Sequence, residues 1–269
     1  MRKHQLRQDI RPGQVHDARK CTAWLPREAG WMGAPPSLPC RLATAAGVVR
    51  RRVELINPRW YRRKRGAVAL DAMNSTIDYY NKHADRFRRD TEGLDLSQLY
   101  AGFLELIPEG GRILDAGCGP GRDSLQFINR GYEVVAFDAS ERMAEIATKT
   151  IGQPALRLSF EEMAFRNEFD GVWACASLLH VPDSELESVL ARIVRALKEN
   201  GVLYMSFKYG TGERVAGGRR FTDMTEASIR ETLSDLPELA LLRTWRTSDL
   251  RPGRESESWL NALARKTRV

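Results

Sequence analysis

No stretch of this 269-residue chain reaches the roughly 18 apolar residues that a membrane-spanning helix needs. Met1-Arg2-Lys3-His4-Gln5 leads into further charge, not into the apolar core of a secretory leader. These absences set the expectation of a cytoplasmic protein with no membrane partner. Cysteine is scarce as well. Cys21, Cys40, Cys118 and Cys175 lie far apart, so no CxxC pair or zinc-ligand spacing can be drawn from them, and reduced thiols without a metal are expected.

Regular patterning is missing from the first quarter. Residues 1–72 show neither a sustained 3.6-residue nor a sustained 2-residue apolar period, and they hold six of the twelve prolines. They also hold sixteen Lys and Arg against five Asp and Glu, so all of the net charge of +7 comes from here and residues 73–269 are acidic on balance. Such a segment cannot offset its ordering entropy by burial and is expected to be a basic, disordered extension. A basic arm for RNA, DNA or an anionic membrane, centred on Arg50-Arg51-Arg52 and Arg62-Arg63-Lys64-Arg65, is a second reading. The preferred reading is translated non-coding sequence ahead of a native start at Met73, where globular patterning opens.

From there helices and strands alternate. Asn74-Ser75-Thr76 is expected to cap a helix carrying Ile77, Tyr80, His83 and Phe87 on one face. A second helix is expected over 96–106, a buried strand over 112–116, a helix over 122–129 and a strand over 133–137. A helix over 142–150 and strands at 156–158 and 169–175 follow, then a helix over 183–198 and a strand over 202–208. The tail reads as a helix over 225–236 and two strands, 239–247 and 256–266, that add an antiparallel pair at the sheet edge. This rhythm implies an α/β fold with a mostly parallel sheet covered by helices on both faces.

The turn Ile113-Leu114-Asp115-Ala116-Gly117-Cys118-Gly119-Pro120-Gly121-Arg122 joins the first strand to its helix, at the carboxyl edge where such sheets bind ligands. A dinucleotide fingerprint wants Gly-x-Gly-x-x-Gly, and its third glycine position is Arg122 here. Asp115 repels a pyrophosphate but suits the cationic amino-acid portion of S-adenosylmethionine. Val134-Val135-Ala136-Phe137-Asp138 ends the next strand with a carboxylate placed to accept hydrogen bonds from both ribose hydroxyls.

Leu114-Asp115-Ala116-Gly117-Cys118-Gly119-Pro120-Gly121 resembles the first motif of the class I S-adenosylmethionine-dependent methyltransferases, and the resemblance runs from about Tyr79 to the end. Gly121-Arg122-Asp123-Ser124, Ala176-Ser177-Leu178-Leu179-His180-Val181 and Ser206-Phe207-Lys208-Tyr209-Gly210 are similar to a bacterial subgroup grouped with tellurite-resistance and thiopurine methyltransferases. The resemblance implies a methyltransferase domain over 73–269 with a Rossmann-like, seven-stranded, mostly parallel sheet, an antiparallel edge hairpin and no metal requirement. It implies S-adenosylmethionine as cofactor, with Asp138 at the ribose, Ala139, Ser140 and Met143 beside the adenine, Phe160 and Glu161 flanking the base, and Ala176 and Ser177 beneath the sulfonium. Met143 and Phe160 also fit ordinary core packing.

A sulfonium methyl is already activated, so alignment and water exclusion suffice and no catalytic acid or base is obligatory. The Asn/Asp-Pro-Pro-Tyr/Phe pattern of amino-directed adenine methylation is absent where Ala176-Ser177-Leu178-Leu179 stands, and Cys175 lacks the Pro-Cys context of cytosine methylation. A small-molecule acceptor is therefore expected, and nucleic acid disfavoured. An RNA- or protein-directed methyltransferase and a cofactor-binding regulatory module stay open. His180 and Tyr80 are the candidate catalytic groups, each with a packing alternative. Lys208 and Tyr209 leave the fifth strand at the active edge and are, with Arg220, the candidate contacts to the acceptor. Arg219-Arg220-Phe221 follows a glycine-bearing loop read as a flexible basic flap, with Arg220 as the candidate contact to an anionic acceptor.

Overall fold

The computed structural model describes residues 58–268, with side chains from residue 75 onward. The first 57 residues of the expected basic extension, with the Arg50-Arg51-Arg52 cluster, lie outside the described residues. Within them no helix is long and apolar enough to cross a membrane.

The first helix, α1 (Pro58–Thr91), starts well before the cap expected at Asn74-Ser75-Thr76. Pro58 occupies its first position, where a missing N–H costs nothing and a fixed φ helps. The early half escaped notice because its arginine-rich run carries no apolar period to read. Thr76 sits mid-helix and buried, and its Oγ1 accepts the backbone N–H of Arg220 at 3.0 Å.

After α2 (Ser97–Leu104) the alternation is as expected: β1 (Arg112–Ala116), α3 (Arg122–Ile128), β2 (Glu133–Asp138), α4 (Glu141–Ile151), β3 (Leu156–Arg157) and β4 (Phe169–Ala174). A single 3-10 turn (Leu178–His180) leads to α5 (Asp183–Ala196) and β5 (Leu197–Lys208). The next segment departs from the expectation. In place of a flexible flap stands a hairpin, β6 (Gly212–Ala216) and β7 (Arg219–Asp223), turned by Gly217 at φ 57° and Gly218 at φ 78°. Two consecutive positive φ values make the tight turn whose twist suits paired strands, and Gly-Gly between strands was a readable signal for it. The chain ends with α6 (Glu226–Ser234), β8 (Leu239–Ser248) and β9 (Ser258–Lys266).

The seven-stranded sheet runs β3-β2-β1-β4-β5-β9-β8, with β1 to β5 mutually parallel and β9 antiparallel to both neighbours. Strand alternation sends successive side chains to opposite faces. Leu114, Val172 and Leu203 enter the core beneath α5 and α6. Ile113, Trp173 and Tyr204 meet Tyr100, Phe103 and Phe127 on the other side, where the Trp173 and Tyr204 rings stack at 3.8 Å. Order reverses at β1, whose neighbours β2 and β4 carry the chain in opposite directions, and this opens a crevice at the carboxyl edge.

Candidate active site

The β1–α3 turn is shaped by close approach. Gly117 has φ +77°, and a β-carbon there would lie 2.5 Å from Ser177 Cβ, so any side chain would push the β4 loop away. Ser177 in turn donates to the Ala116 carbonyl at 2.7 Å, tying the two strand ends together. Ala176 adopts φ 53° without being glycine, and its N–H donates to Ser206 Oγ at 2.8 Å. Backbone held in this region stores strain, and such strain gathers at functional loops.

Asp138 closes the turn from β2. Its Oδ2 accepts the Gly119 N–H at 2.9 Å and its Oδ1 the Ser140 N–H at 2.8 Å. Burial raises its carboxyl to about 6, against the pull of those two N–H donors. Ser140 caps α4, accepting from the Met143 N–H, and Met143 is buried against α1 with Ala84.

Asp115 lies elsewhere than the sequence suggested. It is buried and absent from the cavity wall, accepts from Ser124 Oγ at 2.6 Å, and burial together with Asp123 raises its carboxyl. Ala116 and Gly121 likewise stand behind the wall. The acid that does face the cavity there is Asp123, which sequence reasoning passed over. Burial would raise its carboxyl, but Arg122 Nε at 2.6 Å, Trp173 Nε1 at 2.8 Å and the Tyr100 hydroxyl at 2.7 Å hold it lowered. Arg122 is thereby committed to Asp123.

These groups border a cavity of about 1070 Å³ along the carboxyl edge. Gly117, Cys118, Gly119, Arg122, Asp138, Ala139, Ser140 and Met143 line one end of it, and Phe160, Glu161, Ala176 and Ser177 the adjoining wall. Phe160 also packs edge-on against Phe137. Cys175 lines the cavity, and burial pushes its thiol up to about 12, which favours the thiol over the thiolate.

Tyr80, which also packs against the cluster of Ala84, Met143 and Ile146, and His180, separated by 100 residues, meet at 2.8 Å between Tyr80 Oη and His180 Nε2. His180 Nδ1 stands 2.6 Å from the Arg220 carbonyl. Burial lowers the imidazole to about 4, keeping it neutral, and the nearby Arg219 works in the same direction. Arg220, the expected anion contact, is turned away from the cavity and paired with Glu213 at 2.7 Å. Because neighbours on a strand face opposite ways, Arg219 takes the cavity side instead. Lys208 lines the cavity but is buried between Asp249 and Glu257, and Tyr209 is engaged by Arg246.

Residues 113–201 match the family model described as methyltransferase domain. The Bacillus subtilis protein YqeM is 34% identical over 113 residues, 38% of this chain and 46% of its own length. The ubiquinone biosynthesis O-methyltransferase of Dechloromonas aromatica is 35% identical over 104 residues, 36% of this chain and 44% of its own. The chain thus spans less than half the length of either relative. The crystal structure of Burkholderia thailandensis 1,6-didemethyltoxoflavin-N1-methyltransferase superimposes with a TM-score of 0.61 at 23% identity, over 81% of this chain and 94% of that one. The fold is shared at that distance, and the glycine turn and the β2 acid both fall within residues 113–201, which match the methyltransferase-domain model.

Proposed function

We propose that this chain transfers a methyl group from S-adenosylmethionine to a small-molecule acceptor by in-line displacement. The observation that carries the reading is Asp138. Two of its lone-pair directions are taken by Gly119 and Ser140, and the rest of the carboxyl faces the cavity, where two vicinal hydroxyls would satisfy it. The surrounding wall fits the same group: apolar Met143 and Phe160 suit a flat base, and the glycine turn leaves its backbone open to a methionine portion. When bound, that cofactor supplies an activated methyl on a cationic sulfur.

The chain's own work is then alignment and exclusion of water. The ring of Tyr80, the 3-10 turn and the β6–β7 hairpin cover the far end of the cavity, so an acceptor enters a largely apolar space beside His180. At about 1070 Å³ the cavity exceeds the roughly 300–1,000 Å³ of typical single-ligand sites, leaving room for an acceptor beside the cofactor. No polynucleotide groove is needed to explain it.

Titration calorimetry with S-adenosylhomocysteine tests the cofactor assignment. Asp138→Ala is expected to weaken binding by about tenfold to a hundredfold, the worth of hydrogen bonds to a charged group. Unchanged affinity would overturn the reading. Release of S-adenosylhomocysteine across a panel of hydroxyl, thiol, carboxyl and ring-nitrogen acceptors then ranks the acceptor classes.

A further inference from the structure

The β6–β7 hairpin brings to the cavity a charge that methyl transfer leaves unused. Arg122, Lys208, Arg214, Arg251 and Arg254 also line the cavity, and each has a carboxylate at 3.6 Å or closer. Arg219 has no ion pair among the described residues, and its Nε is buried without a hydrogen-bond partner. Its guanidinium rests among rings, 4.4 Å from the Tyr79 centroid and 5.1 Å from that of Phe221. A guanidinium held on aromatic faces is weakly hydrated and presents a planar fork of donors suited to a carboxylate or other oxyanion.

Beside it, the Arg220 carbonyl fixes the direction of hydrogen bonding. A carbonyl oxygen only accepts, so the His180 proton is on Nδ1, 2.6 Å away. The neutral ring then has a bare lone pair at Nε2, and Tyr80 must donate its hydroxyl hydrogen there over 2.8 Å. A free hydroxyl rotates to suit either kind of partner. This one is locked, its hydrogen directed at His180 and the Arg219 side chain donating to its oxygen, so what it still offers the cavity is a lone pair and no hydrogen. The Arg219 guanidinium carbon lies 5.9 Å from the Tyr80 ring centroid, so adjacent substituents of one small ring span both groups.

We propose that Arg219 and Tyr80 form an acceptor subsite that selects a planar molecule carrying an O–H or N–H donor next to an anionic oxygen. The oxyanion takes the Arg219 fork, the donor takes the Tyr80 oxygen, and Phe221 supplies the flat wall. That the selected molecule is the methyl acceptor rests on the methyl-transfer reading; that it binds here does not.

Calorimetry on the full chain, with and without saturating S-adenosylhomocysteine, tests the subsite with three probes. Salicylate carries the hydroxyl and the carboxylate, 2-methoxybenzoate the carboxylate without the donor, and phenol the donor without the anion. Salicylate is expected to bind at least about tenfold more tightly than either, the worth of one charge-assisted hydrogen bond. Tyr80→Phe should erase its advantage over 2-methoxybenzoate and Arg219→Gln its advantage over phenol, both variants keeping their affinity for S-adenosylhomocysteine. Salicylate binding no more tightly than its controls, or an advantage that survives the matching substitution, overturns the subsite. Joint loss of salicylate and S-adenosylhomocysteine in both variants places these residues in the cofactor wall and overturns it too. A wild-type chain that binds salicylate but not S-adenosylhomocysteine leaves the subsite standing and removes the methyl-transfer reading.

Discussion

The two ends of the cavity are built on opposite plans. The end at the β1–α3 turn is built mainly from β1 to α4 with α1 packed on it, is shaped by glycine backbone, and presents the Asp138 carboxylate, Asp123 being paired with Arg122. The far end is assembled from α1, the 3-10 turn and the β6–β7 hairpin, is shaped by side chains, and presents the Arg219 cation. On the proposed reading Asp138, a carboxylate without a cation partner among the described residues, and Arg219, a guanidinium without an ion pair there, suit a cationic donor and an electron-rich acceptor respectively.

The largest way to break this contrast is Asp123→Ala. It strands three buried donors, from Arg122, Trp173 and Tyr100, and is expected to cost about 3–5 kcal/mol of stability in urea denaturation. A loss below about 1 kcal/mol would mean that the turn end does not depend on this network. Next, Asp138→Ala should act on one end only, lowering affinity for S-adenosylhomocysteine while salicylate affinity holds. Thr76→Val is its counterpart. It deprives the Arg220 N–H of its acceptor and is expected to cost about 1–3 kcal/mol, with salicylate binding weakened and S-adenosylhomocysteine binding kept. Equal weakening of both ligands would show that the ends are not separable.

The smallest effect is one of pH. Burial raises Asp138 to about 6, so the carboxylate proposed to accept ribose hydroxyls forms as pH rises through that value. Affinity for S-adenosylhomocysteine should climb a few-fold, on the order of one hydrogen bond, between about pH 5 and 7, then level off. Asp138→Asn should flatten the profile. A slope that persists in that variant assigns the titration to another group.

The turn end was legible in the sequence because its signal is local. Gly117, Gly119 and Asp138 fall within one strand-turn-helix-strand unit, and backbone geometry dictates their types. The far end was legible only as a set of candidates. Tyr80 and His180 could each be picked out, but nothing local tells that residues 100 positions apart will share a proton. Arg220 was preferred over Arg219 because a loop reading assigns no facing, whereas strand pairing with β6 fixes it, and one residue of register exchanges cavity for interior. Lys208 shows the same limit in another form. Its type and place suggested an anion contact, yet Asp249 and Glu257, more than 40 residues on, already neutralise it. The start of α1 was missed for a simpler reason, since a helix without an apolar stripe leaves no period to detect.

The bond from the Arg220 N–H to Thr76, across 144 residues, has a consequence for how the molecule comes together. Contacts so distant in sequence close large loops, and chains gain them late, after local units have condensed. During refolding the β1–α3–β2 unit should therefore form before the hairpin docks on α1. If the turn unit binds the cofactor as proposed, an early intermediate would hold a nucleoside while still lacking the proposed acceptor subsite.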